Sequence, residues 1–100
     1  MEIDIERREG EVKVCLKGRL DTPAAQEAAP QVNALEEEAA GTIILDCTEL
    51  SYISSSGLRL FLALRKAAAE KGGRVIVRNL CDAIRSVFMM TGFLNLFEIQ

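Results

Sequence analysis

Residues 42–73, TIILDCTELSYISSSGLRLFLALRKAAAEKGG, decide the fold. Thr42-Ile43-Ile44-Leu45 is a short, nearly continuous apolar run, the pattern of a strand at a sheet centre or covered on both faces. Asp46, Cys47 and Thr48 lead away from it, and a short linker brings in Ser54-Ser55-Ser56 ahead of Gly57. The period then becomes helical. Leu60, Phe61, Leu64, Ala67 and Ala68 share one face, and Gly72 is a natural C-cap. Arg74 to Arg78, centred on Val75-Ile76-Val77, supplies the next strand, so residues 42–78 read as a strand, a helical crossover and a second strand.

Working outward toward the N-terminus, Ile3 and Ile5 alternate with acidic residues, as in a half-buried edge strand. Glu9-Gly10 supplies turn chemistry before Val12, Val14 and Leu16 repeat the alternation, which predicts an antiparallel hairpin whose second strand ends at Gly18. Asp21-Thr22-Pro23 opens a helix with Thr22 as N-cap and Pro23 at N1. Ala25, Ala28, Ala29, Val32, Leu35 and Ala39 form its apolar stripe, which Pro30 interrupts with either a kink or a restart before Gly41 closes the helix. Beyond residue 78, Asp82 to Met90 reads as a last helix with Ala83, Ile84, Val87, Phe88 and Met90 facing inward. Leu96, Phe97 and Ile99 offer a short final strand, and Met89, Met90, Phe88 and Phe93 a C-terminal packing cluster.

The expected architecture is an α/β single domain over residues 1–100, a mixed β-sheet in β-β-α-β-α-β-α-β order. Its helical crossovers make strands two, three and four parallel. Their C-terminal ends share one edge, which carries the loops at residues 18–21, 50–56 and 78–81. Binding sites of open α/β sheets collect at such an edge.

Composition narrows the chemistry. The 100 residues are 49% hydrophobic and 27% charged, with a formal net charge of -3, so neither disorder nor a basic nucleic-acid groove fits. Without histidine, the usual neutral-pH proton shuttle and the commonest metal ligand are both missing. Cys15, Cys47 and Cys81 are odd in number, lie far apart, and read as buried thiols in a reducing cytoplasm. No stretch is long and apolar enough to span a membrane, and no signal-peptide profile opens the chain. Asp21 and Asp46 could together hold Mg²⁺ beside a phosphate, but each has a plain reading as turn residue and strand end. No metal, cofactor or catalytic residue is expected.

Three hydroxyls at a helix start exceed what one cap requires. A phosphate on one of them would lie near the free amides of the first turn, where negative charge is tolerated, while the surface changed sharply. Leu58 and Leu62 lie well round from the buried face of this helix. Either they pack under the last helix, or they form a partly exposed patch beside the serines, with Arg59 at its rim facing an acidic partner.

The segments LKGRLDTPAA, IILDCTELSYISSSGLRLF and IRSVFMMTGFLNLFEI, in this order and spacing, resemble the STAS domain of bacterial anti-sigma factor antagonists. The resemblance implies a STAS-like fold and a regulator whose unphosphorylated form binds a GHKL-type serine kinase that is also an anti-sigma factor, releasing a sigma factor. Phosphorylation breaks that complex and a PP2C-like phosphatase restores it. The resemblance places the modified serine at Ser55, matches Ser56 and Gly57 to the following pair, and matches Asp21 to an acidic residue facing the kinase. Ser54 stands where the family usually has aspartate. With the patch residues, the expected partner surface is Asp21, Ser54, Ser56, Gly57, Leu58, Arg59 and Leu62. The alternative in the same fold is an adaptor subunit that docks constitutively, in a lipid-transport ATPase complex or a signalling scaffold.

Overall fold

The computed structural model describes residues 1–100. Strands β1 (Glu2–Arg8) and β2 (Glu11–Leu20) form the hairpin, followed by α1 (Thr22–Ala34), β3 (Thr42–Ile53), α2 (Ser55–Lys71), β4 (Arg74–Arg78), α3 (Asp82–Thr91) and β5 (Glu98–Ile99). Short 3₁₀ turns follow α1 at Leu35–Glu38 and α3 at Phe93–Asn95. The sheet order is β1-β2-β3-β4-β5, with β1 antiparallel to β2 and every later pair parallel. Right-handed crossovers that always step the same way put all three helices on one face of the sheet.

The strand alternation shows this layering. Val12, Val14, Leu16, Ile43, Leu45, Cys47, Val75 and Val77 join Leu35 and the buried faces of the helices in one core. Alternate positions point to the uncovered face, where Lys17 meets Glu2, Asp4 and Glu49, Lys13 meets Asp46, and Arg74 pairs with Glu98. Ile44 and Ile76 are register partners there, both buried, set between Lys13 and Glu98 on the flanking strands. That apolar pair produces the continuous run at 43–45. Phe61 of α2 meets Phe88 of α3 edge-on, with centroids 6.1 Å apart, and Phe97 closes the same cluster.

Several boundaries differ from the sequence reading. β3 extends to Ile53, eight residues past Leu45, because residues 46–53 keep pairing with β2 through register shifts near residues 15–19. Gly18 does not end β2. At φ 98 it sits in that irregularity and the strand continues to Leu20. Asp21, not Thr22, caps α1, placing Pro23 at the second helical position. Helix α1 passes through Pro30 without restarting, and its stripe is buried at Ala25, Ala28 and Val32. On α3 only Ile84 and Phe88 are fully buried, whereas Ala83 and Met89 are exposed and Met90 is 81% exposed, so neither methionine belongs to the packing cluster. Of the cysteines, Cys47 is buried, Cys15 half-buried and Cys81 exposed.

Candidate functional site

The C-terminal ends of the parallel strands form the expected edge, with shorter loops. β2 passes through Asp21 into α1, and β3 through Ser54 into α2. Ser54 N–H donates to Leu20 C=O at 2.9 Å, tying the two exits together.

The four residues 54–57 then divide between core and surface. Ser54 has extended backbone and a buried side chain whose Oγ accepts from Gly57 N–H at 3.1 Å. It is the helix cap. Gly57 is also buried, and a Cβ added there would lie 2.9 Å from Ile53 Cγ1 and 2.9 Å from Leu20 Cδ2. The first turn of α2 is therefore pressed onto the ends of β2 and β3, close packing that only a residue without a side chain permits. With its neighbours fixed inward, Ser55 at the first helical position is exposed, and Ser56 is half-buried. Serine and aspartate cap helices about equally well. Ser54 thus keeps the helix start an aspartate would give, without adding a charge beside Ser55.

Helical periodicity carries the exposed face onward from Ser55 to Arg59 and Leu62, and then to Lys66. Leu62 is 38% exposed. Leu58 is only 7% exposed and belongs to the core, which corrects its assignment to a surface patch: four residues from Leu62, it lies nearer the buried arc of the helix. Ser54 and Gly57 are likewise scaffold beneath the surface. Asp21 is half-buried, and its Oδ1 accepts from Ala24 N–H at 3.0 Å as the cap of α1.

The two aspartates considered for a cation are not brought together. Asp46 lies opposite Cys15 on the uncovered face, and Asp21 is six residues beyond Cys15, roughly 20 Å at about 3.3 Å per strand residue. Burial pushes the Asp46 carboxyl up, but hydrogen bonds from the Thr48 hydroxyl and amide and from Asn79 outweigh it and hold the group below the usual range. Asn79, at φ 61, uses its side chain to tie the end of β4 to β3. No group of three or more His, Cys, Asp and Glu side chains is assembled to hold a metal.

The sequence reading missed one surface feature. The Arg19 guanidinium stacks over the Tyr52 ring at 4.3 Å from its centroid, near the same edge but on the uncovered face. Its signal was the alternation of Arg19 with Leu20 and of Tyr52 with Ile53, visible only if both strands are extended to residues 20 and 53.

The STAS domain family model matches residues 2–100. The anti-sigma-B factor antagonist of Bacillus subtilis is 26% identical, covering 98% of this chain and 89% of its own length. The anti-sigma F factor antagonist of Paenibacillus polymyxa is 29% identical, covering 100% and 84%. Among solved structures, the unphosphorylated anti-sigma factor antagonist SpoIIAA superposes with a TM-score of 0.77 at 25% identity, over 99% of this chain and 87% of that one. Phosphorylated SpoIIAA from Bacillus gives 0.76 at 26% identity, over 99% and 91%. The chain belongs to the STAS domain family.

Proposed function

We propose that this chain is an anti-sigma factor antagonist whose unphosphorylated form binds an anti-sigma factor of the GHKL serine-kinase type, releasing a sigma factor, and that phosphorylation of Ser55 ends the binding. The observation that carries this reading is the exposure of Ser55 between two inward residues, the cap Ser54 and the packed Gly57. Relatives named as anti-sigma factor antagonists, and a related antagonist solved with and without its phosphate, support it.

In the reaction the γ-phosphoryl group of ATP forms a P–O bond to Ser55 Oγ, the bond to ADP breaks, and the hydroxyl proton leaves to the kinase. A PP2C-like phosphatase reverses the state by hydrolysis, returning Ser55 and inorganic phosphate. The modification adds a charge of about -1.5 to -2 at the positive end of a helix dipole, so the fold tolerates it while the contact surface becomes negative. The binding surface in this reading is Ser55, Ser56, Arg59 and Leu62 with Asp21 at the neighbouring helix start. A protein that meets ATP-dependent kinases and sigma factors in this way would work in the cytoplasm.

The test combines the purified chain with ATP and its cognate anti-sigma kinase. One phosphoryl group should appear on Ser55, and Ser55→Ala should remain unmodified. No transfer, together with undiminished partner binding by Ser55→Asp, would instead support an adaptor that docks constitutively, as in a lipid-transport ATPase complex.

A further inference from the structure

Ser55 and Arg59 stand four residues apart on the exposed face of α2, with Leu62 completing the stripe. Most guanidinium groups here are engaged: Arg7 with Glu38, Arg74 with Glu98, Arg65 with Leu96 C=O, Arg78 with Gln100, and Arg19 over Tyr52. Arg59 has no hydrogen-bond or ion-pair partner; Arg85 on α3 is the other such arginine. Lys66, the next cation along the stripe, is eleven residues from Ser55, roughly 16 Å along the helix at about 1.5 Å per residue. The free cation next to the serine is Arg59.

We infer that Arg59 is a shared cation with two exclusive partners: a carboxylate on the anti-sigma factor when Ser55 is unmodified, and the phosphate when Ser55 is phosphorylated. The inference rests on the proposed phosphoswitch and adds how the switch is read. A docking surface made of one unpaired arginine beside a partly exposed leucine complements an acidic side chain flanking an apolar hollow. An acid four residues before a base is the favoured order for pairing along a helix, because the two side chains lie one turn apart on one face. Phosphate adds more charge than a carboxylate and accepts the planar guanidinium fork in two hydrogen bonds. Phosphorylation therefore acts twice, placing an anion against an acidic partner and withdrawing the cation that partner uses.

Two measurements test this. The first needs no partner: the chain is produced with phosphoserine installed at position 55 during translation, and its phosphate is titrated by ³¹P NMR. The second ionisation should occur at lower pH in the wild-type background than with Arg59→Gln, by roughly a few tenths of a unit. Arg59→Lys should recover part of the shift, and Lys66→Gln, which removes a charge farther along the stripe, should leave the wild-type titration unmoved. Equal titration with Arg59→Gln, or an equal shift from Lys66→Gln, overturns the pairing. The second measures affinity for the anti-sigma kinase of the phosphotransfer experiment. Arg59→Gln should weaken the unmodified complex roughly tenfold, and phosphorylation should then cost that variant correspondingly less than wild type. Wild-type affinity in Arg59→Gln overturns the shared role. If the kinase never modifies Ser55, the proposed function fails, yet the phosphate titration still decides whether Arg59 pairs with phosphate.

Discussion

Removing the Ser54 hydroxyl tests how the site is built. In Ser54→Ala the Gly57 N–H loses its acceptor at 3.1 Å, and Gly57 is buried, so water is a poor substitute. Loss of an N-cap costs about 1 kcal/mol, with about 2 kcal/mol at the upper end for well-formed caps. For a domain of this size, about 1 kcal/mol lowers the melting temperature by roughly 4–8 °C. Ser54→Asp should behave differently: its carboxylate can accept the same amide and gains from the helix dipole, so stability should match or exceed wild type by a few tenths of a kcal/mol. Urea denaturation followed by circular dichroism reads both variants, with unchanged slopes showing that the same surface unfolds. If Ser54→Ala stays within about 0.3 kcal/mol of wild type, or Ser54→Asp is the less stable, Ser54 is not the cap and the argument that turns Ser55 outward fails.

Further expectations follow from the same geometry. Gly57→Ala should destabilise by about 1–3 kcal/mol despite alanine's better helix propensity, because the new methyl meets Ile53 and Leu20 at 2.9 Å; a stabilised variant in thermal melts would contradict the packing. Leu58→Asp should unfold much of the population by burying an unpaired carboxylate, while Leu62→Asp should keep stability within about 0.5 kcal/mol and lose partner affinity. Equal destabilisation of the two would refute the inward/outward division. Burial pushes the Cys47 thiol from the ordinary 9.0 up to about 12, so the folded state keeps a proton that the unfolded chain loses. Stability should therefore be unaffected by this group below about pH 9 and fall as pH rises toward 12, a dependence that Cys47→Val should remove. A thiol reagent at neutral pH should label exposed Cys81 well before Cys47.

Much of the architecture was legible because the core-facing pattern is strong. The stripe Leu60, Phe61, Leu64, Ala67, Ala68 is buried as its spacing implies, and Gly72 takes the left-handed cap conformation at φ 77. Parallel pairing of β2, β3 and β4 follows from the helical crossovers alone. The length of β3 was hidden because residues 46–52 are mostly polar, as a strand with a solvated face must be, and because the register shifts break the simple alternation. Asp21 and Thr22 are both good caps and Pro23 fits either choice, so only the observed hydrogen bond separates them. The exposure of Met89 and Met90 depends on how α3 is rotated against the aromatic cluster, which local spacing does not encode. At the site, Leu62 and Arg59 were readable as surface beside the serines, with Leu58 grouped among them. The buried place of Leu58 and the tight seat of Gly57 required knowing where Ile53 and Leu20 end.

In the proposed switch, charge gained at Ser55 abolishes a contact without disturbing the fold. Its most direct test is a calorimetric titration of the anti-sigma kinase with the unmodified and the Ser55-phosphorylated chain, alongside amide NMR spectra of both forms. Phosphorylation should cause a large loss of affinity, with spectral changes confined to the start of α2 and its surroundings. Equal affinity in the two forms, or lost affinity accompanied by shifts throughout the sheet, would contradict it.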